Sequence, residues 1–98
     1  MYAVIFRARL NKTDQTYRDT ASRLRELAMN RYGCIDFISM TEGDREIAIS
    51  YWASMDEIAA WKQDAEHQQA QHLGRTKWYR SYSVQILRVE HEYDKLPP

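Results

Sequence analysis

Two adjacent segments near the middle of the chain carry apolar residues on both of their faces, and this limits what the chain can fold into. The stretches "CIDFISMT" and "REIAISYWA" are rich in β-branched and aromatic residues and read as strands, with "EGDR" between them as a short hairpin loop. In strand geometry Ile35 and Phe37 oppose Ile38 and Met40, while Ile47, Ile49 and Tyr51 oppose Ala48 and Trp52. An antiparallel strand with one solvated face alternates apolar and polar residues. These do not, so both faces of their sheet are expected to be covered.

The flanking segments supply the cover for one face. "MYAVIFRARL" alternates as a strand, with Tyr2, Val4, Phe6, Ala8 and Leu10 pointing one way. "TDQTYRDTASRLRELAMNRYG" offers Thr13 or Asp14 as an N-cap, then Tyr17, Ala21, Leu24 and Ala28 at helical spacing, with Gly33 as a stop. A second helix opens at Ser54 or Asp56, with Glu57 as the partner in a capping box. It runs to Gly74 and is interrupted near Asp64, which is placed to cap a second segment. "WYRSYSVQILRVEHEYD" reads as a long final strand, with a bulge or doubly buried stretch at Ile86 and Leu87. The order β-α-β-β-α-β is the split arrangement of an α+β, ferredoxin-like fold. One domain over residues 1–94 with a tail at 95–98 is expected. Two helices cover one face of a four-stranded sheet, so the other face is expected to meet a second copy in a two-fold homodimer, a dimeric α/β barrel, burying on the order of 2,000 Å² or more.

Composition narrows the partners. Lys plus Arg equal Asp plus Glu at 14 each, leaving no basic field for nucleic acid. The same element order also describes an RNA-recognition module, but "REIAISYW" has neither the glycine nor the phenylalanine of that module's signature strand. No apolar run is long enough to span a membrane and the N-terminus does not read as a signal peptide, so no membrane partner and a cytoplasmic location are expected. Cys34 is the only cysteine and reads as a packed strand residue, consistent with a reducing compartment. Three tryptophans and seven tyrosines in 98 residues must be buried, line a pocket or meet another subunit.

The densest chemistry lies in "WKQDAEHQQAQHLGR", residues 61–75. Ile58, Trp61, Ala65 and His72 fall near one helical face, and Ala60, Asp64, His67 and Gln71 form the neighbouring stripe. His67 and His72 are about 140° apart around a helix, unlike the i, i+4 pair of a helical zinc site, and no metal is expected. His67, with Glu66 beside it and Asp64 and Gln71 on its stripe, is a candidate for an imidazole oriented by its neighbours and tuned near neutral pH. Arg75 is placed to clamp an anion or to favour a helix C-terminus. Trp78, Tyr79 and Tyr82 are candidates for an aromatic pocket floor.

Taken together, "YAVIFRARL", "IAISYWASMDEIAAWKQDAEHQQAQHLGR" and "YSVQILRVEHEY" resemble the antibiotic biosynthesis monooxygenase family over nearly the whole chain. The resemblance implies a dimeric α+β barrel. Some members of that family oxidise polycyclic phenols or quinols with O₂ and no cofactor, using an Asn, a Trp, a Tyr and an Arg. Trp61 matches the Trp, while His67 stands where the Tyr would be and Glu57 where the Asn would be. Haem-degrading members use a first-strand Asn and a His ten residues after the Trp, but here Phe6 and Arg7 lie on the first strand and Gln71 at the later position, which points away from haem. The implied activity is a cofactor-independent monooxygenase acting on a small aromatic molecule and O₂. Trp61, His67 and Arg75 would be catalytic, and Trp78, Tyr82 and Glu57 would contact the substrate. The alternative is a non-catalytic dimer that binds a small hydrophobic ligand in the same pocket.

Overall fold

The alternating segments are strands in the computed structural model, which describes residues 1–97: β1 (Tyr2–Leu10), β2 (Asp36–Glu42), β3 (Arg45–Trp52) and β4 (Tyr79–Arg88). They form one antiparallel sheet in the order β2-β3-β1-β4. This is the ferredoxin-like α+β arrangement. Gly43, at φ 60, takes the first central position of the two-residue β2–β3 turn, where only glycine is at ease, and Asp44 follows.

Side-chain caps decide where the helices begin. The Asp14 carboxylate accepts the Tyr17 backbone N–H at 3.0 Å and opens α1 (Gln15–Arg31). At its far end Gly33, at φ 82, turns the chain so that the Cys34 N–H reaches back to the Ala28 carbonyl. Ser54 opens α2 (Met55–Lys62) by accepting the Glu57 N–H, but the Glu57 carboxylate takes the Ser54 hydroxyl, so the reciprocal capping box does not close on the backbone. The expected break at Asp64 is present: its carboxylate accepts the N–H groups of Glu66 and His67 and starts α3 (Ala65–Leu73).

Four local expectations are corrected. Gly74 does not stop the helix: its backbone stays helical and the chain continues through a π-helical turn, Gly74–Trp78. Its lack of a side chain serves a close approach, because a Cβ there would lie 2.5 Å from the Tyr79 ring. The final strand begins at Tyr79 and ends at Arg88, so His91 lies beyond it, where its ring meets that of Tyr93. The register shift falls between Arg9 and Leu10, whereas Ile86 and Leu87 pair regularly with Val4 and Ala3. Cys34 is buried in the turn before β2, with its thiol donating to the Asp36 carbonyl, and is not a strand residue.

The two sheet faces differ as their sequences require. Val4, Phe6, Ala8, Ala48, Ser50 and Trp52 lie on the face that the helices cover. Ile38, Met40, Ile47 and Leu87 point the other way and stand 38–70% exposed on the single chain. Beneath the helices the core is in two parts. One gathers Val4, Ala28, Cys34, Trp52, Ile58 and Trp61; the other gathers Ala8, Leu10, Tyr17 and Trp78.

Candidate functional site

A cavity of about 250 Å³ separates these two clusters, and residues of both line it. Protein interiors usually close at crystal-like density, so this space between sheet and helices, open in part to solvent, is large enough to take a small molecule. Aromatic rings stand on its wall, with Trp61 and Phe37 at one end and Tyr17, Trp78 and Tyr79 at the other. The rings fix one another: Trp61 packs on Trp52 at 5.2 Å between centroids, and Tyr17 meets Trp78 edge-on at the same distance.

The α2–α3 break delivers His67 to this cavity. With Asp64 capping the new helix, the His67 ring lies over Trp61, with centroids 4.1 Å apart, and its Nδ1 is 3.0 Å from the Trp61 carbonyl. A carbonyl can only accept, so Nδ1 carries the proton and Nε2 is left as a lone-pair acceptor. Burial holds the imidazole below its ordinary proton affinity and nearby Lys62 adds to this, against the opposing pull of the Trp61 carbonyl and Asp64. A neutral imidazole at pH 7 results.

The expected orienting carboxylates are engaged elsewhere. Asp64 caps backbone and accepts the Tyr32 hydroxyl at 2.6 Å, and that hydrogen bond is the main reason its carboxyl sits below the usual range. Glu66 pairs with Arg23 at 3.0 Å on the surface. Gln71 does line the cavity.

Of the six candidate residues, the fold brings Trp61, His67, Trp78 and Tyr82 to the cavity wall. Arg75 and Glu57 are not among the lining residues. Arg75 is exposed in the π-helical turn, and Glu57 packs against Gly33, where its carboxylate fills the space a Cβ would take. The cations that do line the cavity are Lys62 and Arg25.

The sequence reading missed Glu46. It lies on the helix-covered face of β3, lines the cavity, and has its Oε2 buried without a hydrogen-bond partner. Burial alone pushes its carboxyl up. Tyr79, which the sequence did suggest for the floor, has a phenol raised well above its ordinary value, first by burial and then by Glu46. A signal for Glu46 was available: it shares strand parity with Ala48, Ser50 and Trp52, a position where a carboxylate is out of pattern.

The unpaired polar atoms belong to residues that line the same cavity. Among the described residues the buried side-chain nitrogens and oxygens without a partner are Glu46 Oε2, Trp61 Nε1 and Trp78 Nε1, and all three residues line the cavity. Trp52, which does not line it, donates its indole N–H to Ser50 Oγ at 2.8 Å. Buried polar groups are nearly always paired, so these three exceptions make the residues around the cavity the part of the core whose polar atoms are least satisfied.

Comparison with known proteins places the chain among relatives. No sequence-family model matches it. It is 41% identical over 92 residues to the Bacillus subtilis (strain 168) protein YqjZ, covering 93% of this chain and 81% of that one. Its structure is similar to that of SnoaB, a cofactor-independent oxygenase from Streptomyces nogalater, with a TM-score of 0.79 at 9% identity over 96% of this chain and 97% of that one. It is also similar to a structure described as an antibiotic biosynthesis monooxygenase, with a TM-score of 0.64 at 13% identity over 99% and 100% of the two chains. At such identities the structural likeness speaks for the fold.

Proposed function

This chain belongs to the same family as YqjZ of Bacillus subtilis and has the fold of the antibiotic biosynthesis monooxygenases, and on that premise we propose that its cavity binds a small phenolic or quinol-like aromatic molecule and oxidises it with O₂. The observation that carries this reading is the Trp61–His67 pair at the cavity wall. The pair offers a stacking surface, an unpaired indole N–H and a neutral imidazole with a free Nε2.

The chemistry asks little of the protein. His67 Nε2 accepts the phenolic proton, and the phenolate, being far richer in electrons than the phenol, passes an electron to O₂ more readily. The Trp61 N–H donates to the anionic oxygen. Stabilisation by counter-charge falls to Lys62, which lines the cavity near His67, rather than to the exposed Arg75. Burial of His67 against Trp61 lowers the local dielectric around the pair, which strengthens each of these interactions.

Oxygen uptake with a panel of naphthols and quinols tests the assignment. Substituting His67→Phe keeps the stacking on Trp61 and removes the base, and uptake is expected to fall by ~10²–10⁴-fold. Uptake that is unchanged in the variant refutes His67 as the base. Binding of the same compounds with no uptake by the wild type favours the non-catalytic carrier, which would use the same cavity.

We also infer a two-fold homodimer through the open sheet face. This is supported by Ile38, Met40, Ile47 and Leu87, which are exposed on one face of a sheet that has helices on only its other side. Sedimentation is expected to give twice the chain mass at micromolar concentration and the single-chain mass for Ile47→Lys. A well-folded wild-type monomer overturns the pairing. A cytoplasmic site of action belongs to the same proposal, supported by Cys34, which is buried as a free thiol. Among the described residues no helix is long and apolar enough to cross a membrane.

A further inference from the structure

His67 and Trp61 account for one end of the cavity and leave the other unused. Two further lining residues, Glu46 and Trp78, carry the remaining buried atoms without a partner, Oε2 and Nε1. On β1, Val4 belongs to the core cluster of Trp61, and Ala8, which is the register partner of Glu46, belongs to the cluster of Trp78. Val4 and Ala8 are four residue steps apart on β1, roughly 13 Å along the sheet. The two ends are therefore distinct subsites.

Each end pairs an indole N–H with an ionisable side chain. Glu46 makes no ion pair, although Arg25 and Lys62 line the same cavity, and burial is the sole cause of its raised pKa. Arg45 beside it in β3 and Arg7 and Arg9 in β1 alternate to the opposite face of the sheet, where Arg9 bonds Asp44 at 3.1 Å. A carboxylate meant for an ion pair would not be placed so.

We propose that Glu46 and Trp78 form a second polar anchor, which fixes an uncharged carbonyl oxygen at the end of the ligand remote from His67. This rests on the aromatic-ligand reading above and adds a specificity that the reading does not contain. The Trp78 N–H donates to one lone pair of the carbonyl and the Glu46 carboxyl donates to the other. Burial of Glu46 favours the protonated form that donation requires, and a ligand that displaces the remaining solvent favours it further. A carboxylate in place of the ketone would face an acid whose ionisation sets two negative charges together. The preferred ligand is thus longer than a single ring, phenolic at one end and carbonyl-bearing at the other.

Calorimetric titration with three probes tests this. They are a hydroxytetralone, with phenol and ketone at opposite ends of two fused rings, the tetrahydronaphthol that lacks only the ketone, and a hydroxynaphthoic acid. Wild type is expected to bind the ketone about 5–10-fold more tightly than the tetrahydronaphthol, the worth of two hydrogen bonds each at the lower end of its usual net contribution, and to bind the acid more weakly than either. Glu46→Gln, whose amide still donates, keeps most of the preference, and Glu46→Met lowers the ratio of the first two affinities to about 2–3-fold, the share left to the Trp78 N–H. Trp78→Phe lowers the ratio independently of Glu46. A ratio that survives both Glu46→Met and Trp78→Phe overturns the second anchor. Wild type that binds ketone and tetrahydronaphthol equally also overturns it, while leaving the His67 end intact. Wild type that binds no probe removes the aromatic-ligand reading and the anchor together.

Discussion

Replacing Glu46 by methionine should make the protein more stable. Glu46 Oε2 is buried without a partner, and an unmet polar atom of this kind costs about 1–3 kcal/mol, whereas a methionine of similar length carries no such demand. The residue keeps some exposure, so the lower part of that range applies, ~1–2 kcal/mol. In a domain of 60–100 residues each kcal/mol moves Tm by roughly 4–8 °C, giving a rise of about 4–16 °C. The pH dependence is the sharper part of the prediction. The folded-state pKa of Glu46 lies above its ordinary 4.5, so between those two values the folded protein binds more protons than the unfolded chain. Wild-type stability therefore falls as pH rises through that window and stays reduced above it. Glu46→Met has no such group, so its advantage should be small near pH 4.5 and largest near about pH 8. Thermal unfolding followed by circular dichroism at both pH values, at one protein concentration, measures it. A lower Tm for the variant, or an advantage that does not change with pH, refutes the argument that Glu46 is an unpaired buried acid.

Three further outcomes are expected. His67 has the opposite linkage: its folded-state pKa lies below 6.5, so wild-type stability should fall as pH drops below that value, and His67→Phe should flatten this slope in the same unfolding series. Asp64→Ala removes the cap of α3 and the acceptor of the Tyr32 hydroxyl together, so chemical denaturation should show a loss of ~1–2 kcal/mol, more than for Asp14→Ala, which loses a single cap bond and an exposed ion pair to Lys77. Gly74→Ala should displace the Tyr79 ring, because the new Cβ would sit 2.5 Å from it, weakening ligand affinity more than an alanine at exposed Thr76 does.

Elements, their order and the two-sided character of the sheet were legible in the sequence because they follow from local rules. Strand parity separates Ile47 and Ile49 from Ala48 and Ser50, Asp64 announces a cap, and Gly43 announces a turn. The resemblance placed Trp61 and His67 at the pocket because a single helical break sets their relation. Tertiary structure decided what depends on groups far apart in the chain. Gly74 reads as a helix stop, but it is small because Tyr79 lies against it. Arg75 reads as an anion clamp beside a histidine, yet the π-helical turn carries it outward and leaves Lys62 and Arg25 at the cavity. Glu46 reads as one more charge in a charged chain. Only the packing of β3 beneath the helices, with its arginine neighbours alternating away, turns it into an acid without a partner at the end of a cavity.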